Sequence, residues 1–172
     1  EQSYNAQAAV DTESMLIVAT GMAQVATDKQ QVEPMLEALT ELPEELGRVR
    51  HLLADTGYFS AANVERCGEA KIEPLLAAGR DRHHPHWEDR FTEPPPLAEP
   101  ASAVARMKHR LKTRKGRARY ALRKQTVEPV FGIIKSVMRF RQFLLRGLEA
   151  VRGEWSLVTM AWNIKRMAAM AA

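Results

Sequence analysis

The chain has 172 residues, 45% of them hydrophobic, and a formal net charge of +4, enough for one domain with a real core. A single cysteine, Cys67, excludes an internal disulfide framework and any multi-thiolate zinc site. No apolar run approaches a membrane span and no leader pattern precedes Tyr4, so no membrane contact and an intracellular, cytoplasmic protein are expected.

The chain opens without Met and enters almost at once what reads as a strand, so it is expected to be part of a longer protein. Tyr4 to Val10 and Met15 to Val25 are apolar runs joined by Asp11-Thr12-Glu13-Ser14, the pattern of a β-hairpin. Frequent Ala leaves a short helix as the other reading. Thr27 with Gln30 has capping-box spacing and predicts a helix start. Val32, Met35, Leu36, Leu39 and Leu42 follow at helical spacing, and Pro43 stops them.

Val49 to Ala54 predicts a buried strand that ends at the turn Asp55-Thr56-Gly57-Tyr58. Ser60 to Ala70 predicts a helix with Ser60 as N-cap, and Ile72 to Ala78 a further strand. Residues 80–103 read as a Pro-rich linker or insertion, carrying Pro94-Pro95-Pro96 and Pro100. Beyond it, Val104, Met107 and Leu111 form a helical stripe that Gly116 is expected to break, and Ala118 to Arg123 resumes it. A last helix carries Val151, Trp155, Val158 and Trp162 on one face. The order predicts a mixed α/β domain with a basic helical C-terminal part.

Charge divides the chain. Residues 1–100 carry 8 basic and 18 acidic side chains, whereas residues 101–172 carry 17 and 3. Between Arg106 and Lys124, eleven of nineteen residues are Lys, Arg or His and none is acidic. Such an unneutralised run points to a phosphate backbone, without indicating base sequence. Phe131, Phe140 and Phe143 interleave with it at core-like spacing.

Two acids stand out. Asp55 sits where a strand meets a Gly-bearing turn, a place that suits either a functional carboxylate or a turn cap. Glu128 is the only acid between Glu99 and Glu149, with Lys135 nearly on its helical face and Arg139 after it. Pro129 predicts that Glu128 lies at a helix start or kink. Its other reading is one acid softening a basic surface. His83, His84 and His86 flank Pro85 without a nearby Cys and read as a solvated loop; His51 and Cys67 read as structural.

Tyr4-Asn5-Ala6-Gln7-Ala8-Ala9-Val10-Asp11, Leu53-Ala54-Asp55-Thr56-Gly57-Tyr58 and Val127-Glu128-Pro129-Val130-Phe131-Gly132-Ile133-Ile134-Lys135 together resemble bacterial insertion-sequence transposases of the DDE type. Arg141 to Leu148 and Glu154 to Val158 extend the resemblance over nearly the whole chain, in order. It implies an RNase H-like mixed sheet with flanking helices: a partial core over 1–79 and a basic helical part over 104–172 that carries the Glu motif. It further implies DNA cleavage and strand transfer at insertion-sequence ends, with two Mg²⁺ or Mn²⁺ held by three carboxylates.

By this resemblance Asp55 is the second Asp and Glu128 the Glu. Tyr120, Lys135 and either Lys124 or Arg123 match the family's phosphate-gripping positions, with Arg139 beyond them. The family's first Asp is expected on a strand upstream of Tyr4, with Asp11 as the nearby substitute. The fold is therefore expected to be incomplete at its N-terminus, and activity of this chain poor. Arg139 departs from the small residue expected before Phe140-Arg141-Gln142-Phe143. A bacterial, nucleoid-associated protein, with DNA as partner and a homodimer as its possible assembly, completes these expectations. The alternatives are a non-catalytic basic DNA-binding module and a degenerate transposase remnant.

Overall fold

The computed structural model describes residues 3–25, 27–79 and 92–171. The reading of His83, His84 and His86 as a solvated loop, and most of the 80–103 linker, lie outside the described residues. Residues 92–102 have no regular structure and are largely exposed, as the prolines require.

Strands β1 (Asn5–Val10) and β2 (Ile17–Ala23) pair antiparallel, from Asn5 opposite Ala23 to Val10 opposite Ile17. The hairpin expectation holds. Asp11 closes the loop: its Oδ2 accepts Ser14 N–H at 2.7 Å, Ser14 Oγ–H at 2.6 Å and Glu13 N–H at 3.2 Å.

A 3-10 turn over Asp28–Gln31 leads into α1 (Val32–Thr40), which buries Val32, Leu36 and Leu39. The capping box expected at Thr27 and Gln30 does not form. Thr27 makes no side-chain cap, because the α-helix begins only at Val32 and Gln30 lies in the 3-10 turn ahead of it.

Strand β3 (His51–Ala54) runs parallel to β4 (Glu73–Leu76), joined by α2 (Ala61–Glu69) in a βαβ unit. Ser60 caps α2 as expected, its Oγ accepting Asn63 N–H at 3.0 Å. The burial expected of β3 is not reached. All four of its residues are half-buried, while Leu75 and Leu76 of β4 are fully buried. Among the described residues β3 pairs on one side only, which leaves its other edge without a strand to cover it.

The expected single mixed sheet is likewise not formed. The described residues make two separate two-stranded sheets, β1-β2 and β3-β4. The architecture is mixed α/β.

Three helices follow: α3 (Ala103–Lys112), α4 (Arg114–Ser136) and α5 (Leu148–Ala171). Gly116 does not break the helix. The break falls at Thr113, which caps α4 by accepting Gly116 N–H at 3.0 Å. Gly116 is needed in that first turn, since a Cβ there would stand 1.9 Å from the Arg110 carbonyl oxygen. No described helix is long and apolar enough to cross a membrane.

The main core joins both ends of the chain: Ile17 and Met22 of β2, Val130 and Ile134 of α4, and Val151, Trp155 and Trp162 of α5. Phe131, Phe140 and Phe143 pack around Trp155, as their spacing predicts. Asn163 takes the place of a strand beside Ile17: its Oδ1 accepts the Ile17 N–H and its Nδ2 donates to the Ile17 carbonyl, each at 2.8 Å. Cys67 is fully buried beside Val32, Leu36 and Ile72, and burial pushes its thiol up to about 11, so it is a packing residue.

Candidate active site

Asp55 follows β3 at its C-terminal end and is exposed. Its Oδ1 accepts the Gly57 N–H at 2.9 Å, and its carbonyl accepts the Tyr58 N–H at 3.3 Å. The turn-cap reading of Asp55 is therefore correct as far as one oxygen goes. Its Oδ2 has no hydrogen-bond partner among the described residues, so the same residue can cap its turn and present an oxygen outward.

Glu128 is carried by α4. Val104 and Leu111 of α3 pack against the cluster of Val64, Leu76 and Met107. On the same helix, Arg110 Nε meets Glu73 Oε1 at 2.9 Å, at the start of β4. The chain turns at Thr113 into α4, whose Arg119 Nη1 meets His51 Nε2 at 2.6 Å.

The helix continues through Pro129, so Glu128 lies within α4 rather than at its start. Packing of Val130 and Ile134 on either side of the next turn holds α4 to the hairpin and overrides the proline's local preference.

Around Glu128, the structure separates the two basic candidates. Arg123 is half-buried, its guanidinium 5.7 Å from the centre of the Tyr120 ring and 3.9 Å from Glu128 Oε1. Its Nε is buried without a hydrogen-bond partner. Lys124 is exposed and has no such contact. Tyr120, Arg123 and Glu128 form one connected group, and Lys124 stands outside it. Lys135 lies two turns beyond Glu128 on the exposed face. Arg139 lies past the end of α4 with φ +60, a left-handed conformation that favours glycine. The small residue expected there by resemblance suits this backbone better than Arg does.

Asp11 is not brought to this place. The Asn5 end of β1 faces the Asp55 turn, and Asp11 lies six residues away along the strand, roughly 20 Å. Its carboxylate is engaged by the hairpin loop. Burial alone would raise its pKa, but the hydrogen bonds from Ser14 and Glu13 outweigh this and hold it below the usual range.

Sequence reasoning missed Asp28, Asn5 and Gln7. Asp28 Oδ1 accepts from Asn5 Nδ2 at 2.8 Å and from Gln7 Nε2 at 3.1 Å. Asn5 Oδ1 accepts from the same Gln7 amide at 2.7 Å, and Tyr58 Oη–H donates to Gln7 Oε1. The signal was present: Asn5 and Gln7 alternate on one face of a strand, so two amides face the same way. Burial, with Asp28 and Asp55 nearby, pushes the Tyr58 hydroxyl up to about 12.

At the other end of β3, burial and then the Arg119 charge lower the His51 pKa, so its Nε2 accepts from Arg119. The 4.0 Å approach of His51 to Glu73 is then not an ion pair, and Glu73 belongs to Arg110.

Asp55 and Glu128 are exposed oxygen donors of the kind that Mg²⁺ and Mn²⁺ take. Among the described residues no group of three or more His, Cys, Asp or Glu is gathered to hold a metal. A profile of the transposase DDE domain family matches residues 1–164. No curated protein and no solved structure matches the chain significantly.

Proposed function

The chain belongs to the transposase DDE domain family, and we propose on that basis that it is the catalytic part of an insertion-sequence transposase. Its substrate is DNA, and its reaction is metal-dependent strand cleavage and transfer. Asp55 and Glu128 are two of the metal-holding carboxylates. The observation that supports this reading is the Arg119–His51 contact, which sets α4, the helix of Glu128, beside β3, the strand that Asp55 follows. When bound, a divalent metal pair activates the attacking oxygen and neutralises charge on the leaving one.

The chain's own residues do the rest. Arg123, braced by Tyr120, holds the Glu128 carboxylate from the α4 side. Lys124, Lys135 and Arg139 are exposed cations along and beyond the same helix, suited to DNA phosphates. The third carboxylate is expected on an RNase H-like strand upstream of Tyr4, since Asp11 is occupied at the far end of β1.

The test uses the whole chain with labelled duplex DNA in Mg²⁺ or Mn²⁺. Expected are salt-sensitive binding and weak nicking that Asp55→Asn and Glu128→Gln abolish. Nicking that survives both substitutions overturns the assignment. Binding that ignores both the metal and Asp55→Asn, without any nicking, favours the non-catalytic DNA-binding module instead.

A further inference from the structure

We infer that Asp28 is a positioning residue for Asp55, held in place by the Asn5-Ala6-Gln7 segment of β1. This deepens the reading of Asp55 given above and rests on it.

The two small sheets share no backbone pairing. On the Asp55 side they are joined by side chains. Asn5 and Gln7 both donate to Asp28 Oδ1. Gln7 is buried, 6% exposed, and also receives the Tyr58 hydroxyl. The free oxygen of Asp28 faces the Asp55 turn: a Cβ built on Gly57 would stand 3.0 Å from Asp28 Oδ2 and 3.1 Å from Asp55 Oδ1. Asp28 and Asp55 thus both crowd the place a Gly57 side chain would take.

The 3-10 turn carrying Asp28 is itself fastened. Asn63, 1% exposed, donates to the Lys29 carbonyl at 2.9 Å and to the Tyr58 carbonyl at 2.8 Å. One buried amide therefore ties the residue after Asp28 to the turn after Asp55. With Asp28 held by β1 and its neighbour held by α2, the Gly57 turn has one seat. Asp55 is left with the rotamer in which Oδ1 caps that turn and Oδ2 takes no hydrogen bond among the described residues. The negative charge of Asp28 adds to the attraction of this corner for a cation.

The experiment reads the Asp55 side chain directly. In the metal-free whole chain, three-bond couplings to the Asp55 carboxyl carbon report whether it holds one rotamer. Expected is a single rotamer in the unaltered chain, averaging in Asp28→Ala, and recovery in Asp28→Asn, whose side-chain oxygen still accepts from Asn5 and Gln7. A single rotamer retained in folded Asp28→Ala overturns the inference. Should Asp28→Ala not fold, Asn5→Ala removes one donor only. Partial averaging is expected there, and unchanged couplings overturn the inference.

A second arm adds Mn²⁺ and follows line broadening around residue 55. Asp28→Ala is expected to weaken Mn²⁺ about three- to tenfold. Equal broadening in Asp55→Asn and the unaltered chain would sink the metal role of Asp55, while the rotamer measurement still decides the role of Asp28.

Discussion

Arg123 and Lys124 are neighbours in sequence with opposite surroundings. Arg123 is largely covered and sets its guanidinium near Tyr120 and Glu128. Arg123→Ala is expected to destabilise the chain by about 1–2 kcal/mol in urea unfolding, through lost packing and a lost partner for Glu128. Lys124→Ala should stay within about 0.5 kcal/mol but lower the salt slope of DNA binding by about one. Tyr58 gives a pH prediction. Its folded pKa of about 12 lies above the value of 10.0 for a free tyrosine. The stabilisation is complete below pH 10 and is lost as pH rises toward 12. Absorbance titration at high pH should show one late tyrosine, absent in Tyr58→Phe.

The hinge between α3 and α4 depends on the absence of one carbon. Gly116→Ala would drive a methyl group into the Arg110 carbonyl, so a loss of about 1–3 kcal/mol or more is expected by thermal unfolding. The end of α4 gives the opposite case. Phe140 N–H reaches back to the Ile134 carbonyl at 3.1 Å, wrapping the chain over left-handed Arg139. Arg139→Gly should stabilise by roughly 1 kcal/mol while weakening DNA binding by one phosphate contact. Both changes are checked in one preparation by melting and by salt titration.

Elements with strong local signals were legible in the sequence. Ser60 caps where it should, Asp55 turns where it should, and Val151, Trp155, Val158 and Trp162 face the core together. The misses share a cause, which is that tertiary contact overrode a local preference. Pro129 sits inside α4 because Val130 and Ile134 are buried against the hairpin. Gly116 serves a close approach rather than a break. Asp28 looked like the first turn of a helix, and its partners Asn5 and Gln7 lie more than twenty residues before it. No window along the chain contains that cluster.

For the molecule as a whole, acidic and basic residues are sorted by position in the chain. Residues 101–172 contribute 17 of the 25 Lys and Arg and only 3 acids, and α3 and α4 carry the densest part. Non-specific DNA affinity should therefore fall steeply between low and physiological salt, as the log–log slope of a binding titration will show. The first hairpin, by contrast, is secured by the last helix. Trp155 Nε1 donates to the Gln7 carbonyl at 3.0 Å, and Asn163 holds both backbone groups of Ile17 across 146 residues of chain. A ribosome adding about 5–20 residues per second needs roughly 7–30 s to make the stretch between these partners. Over that interval the strand pair bearing Asn5 and Gln7 is synthesised but not yet fastened. The C-terminal helix thus supplies its hydrogen bonds to the hairpin only late in synthesis.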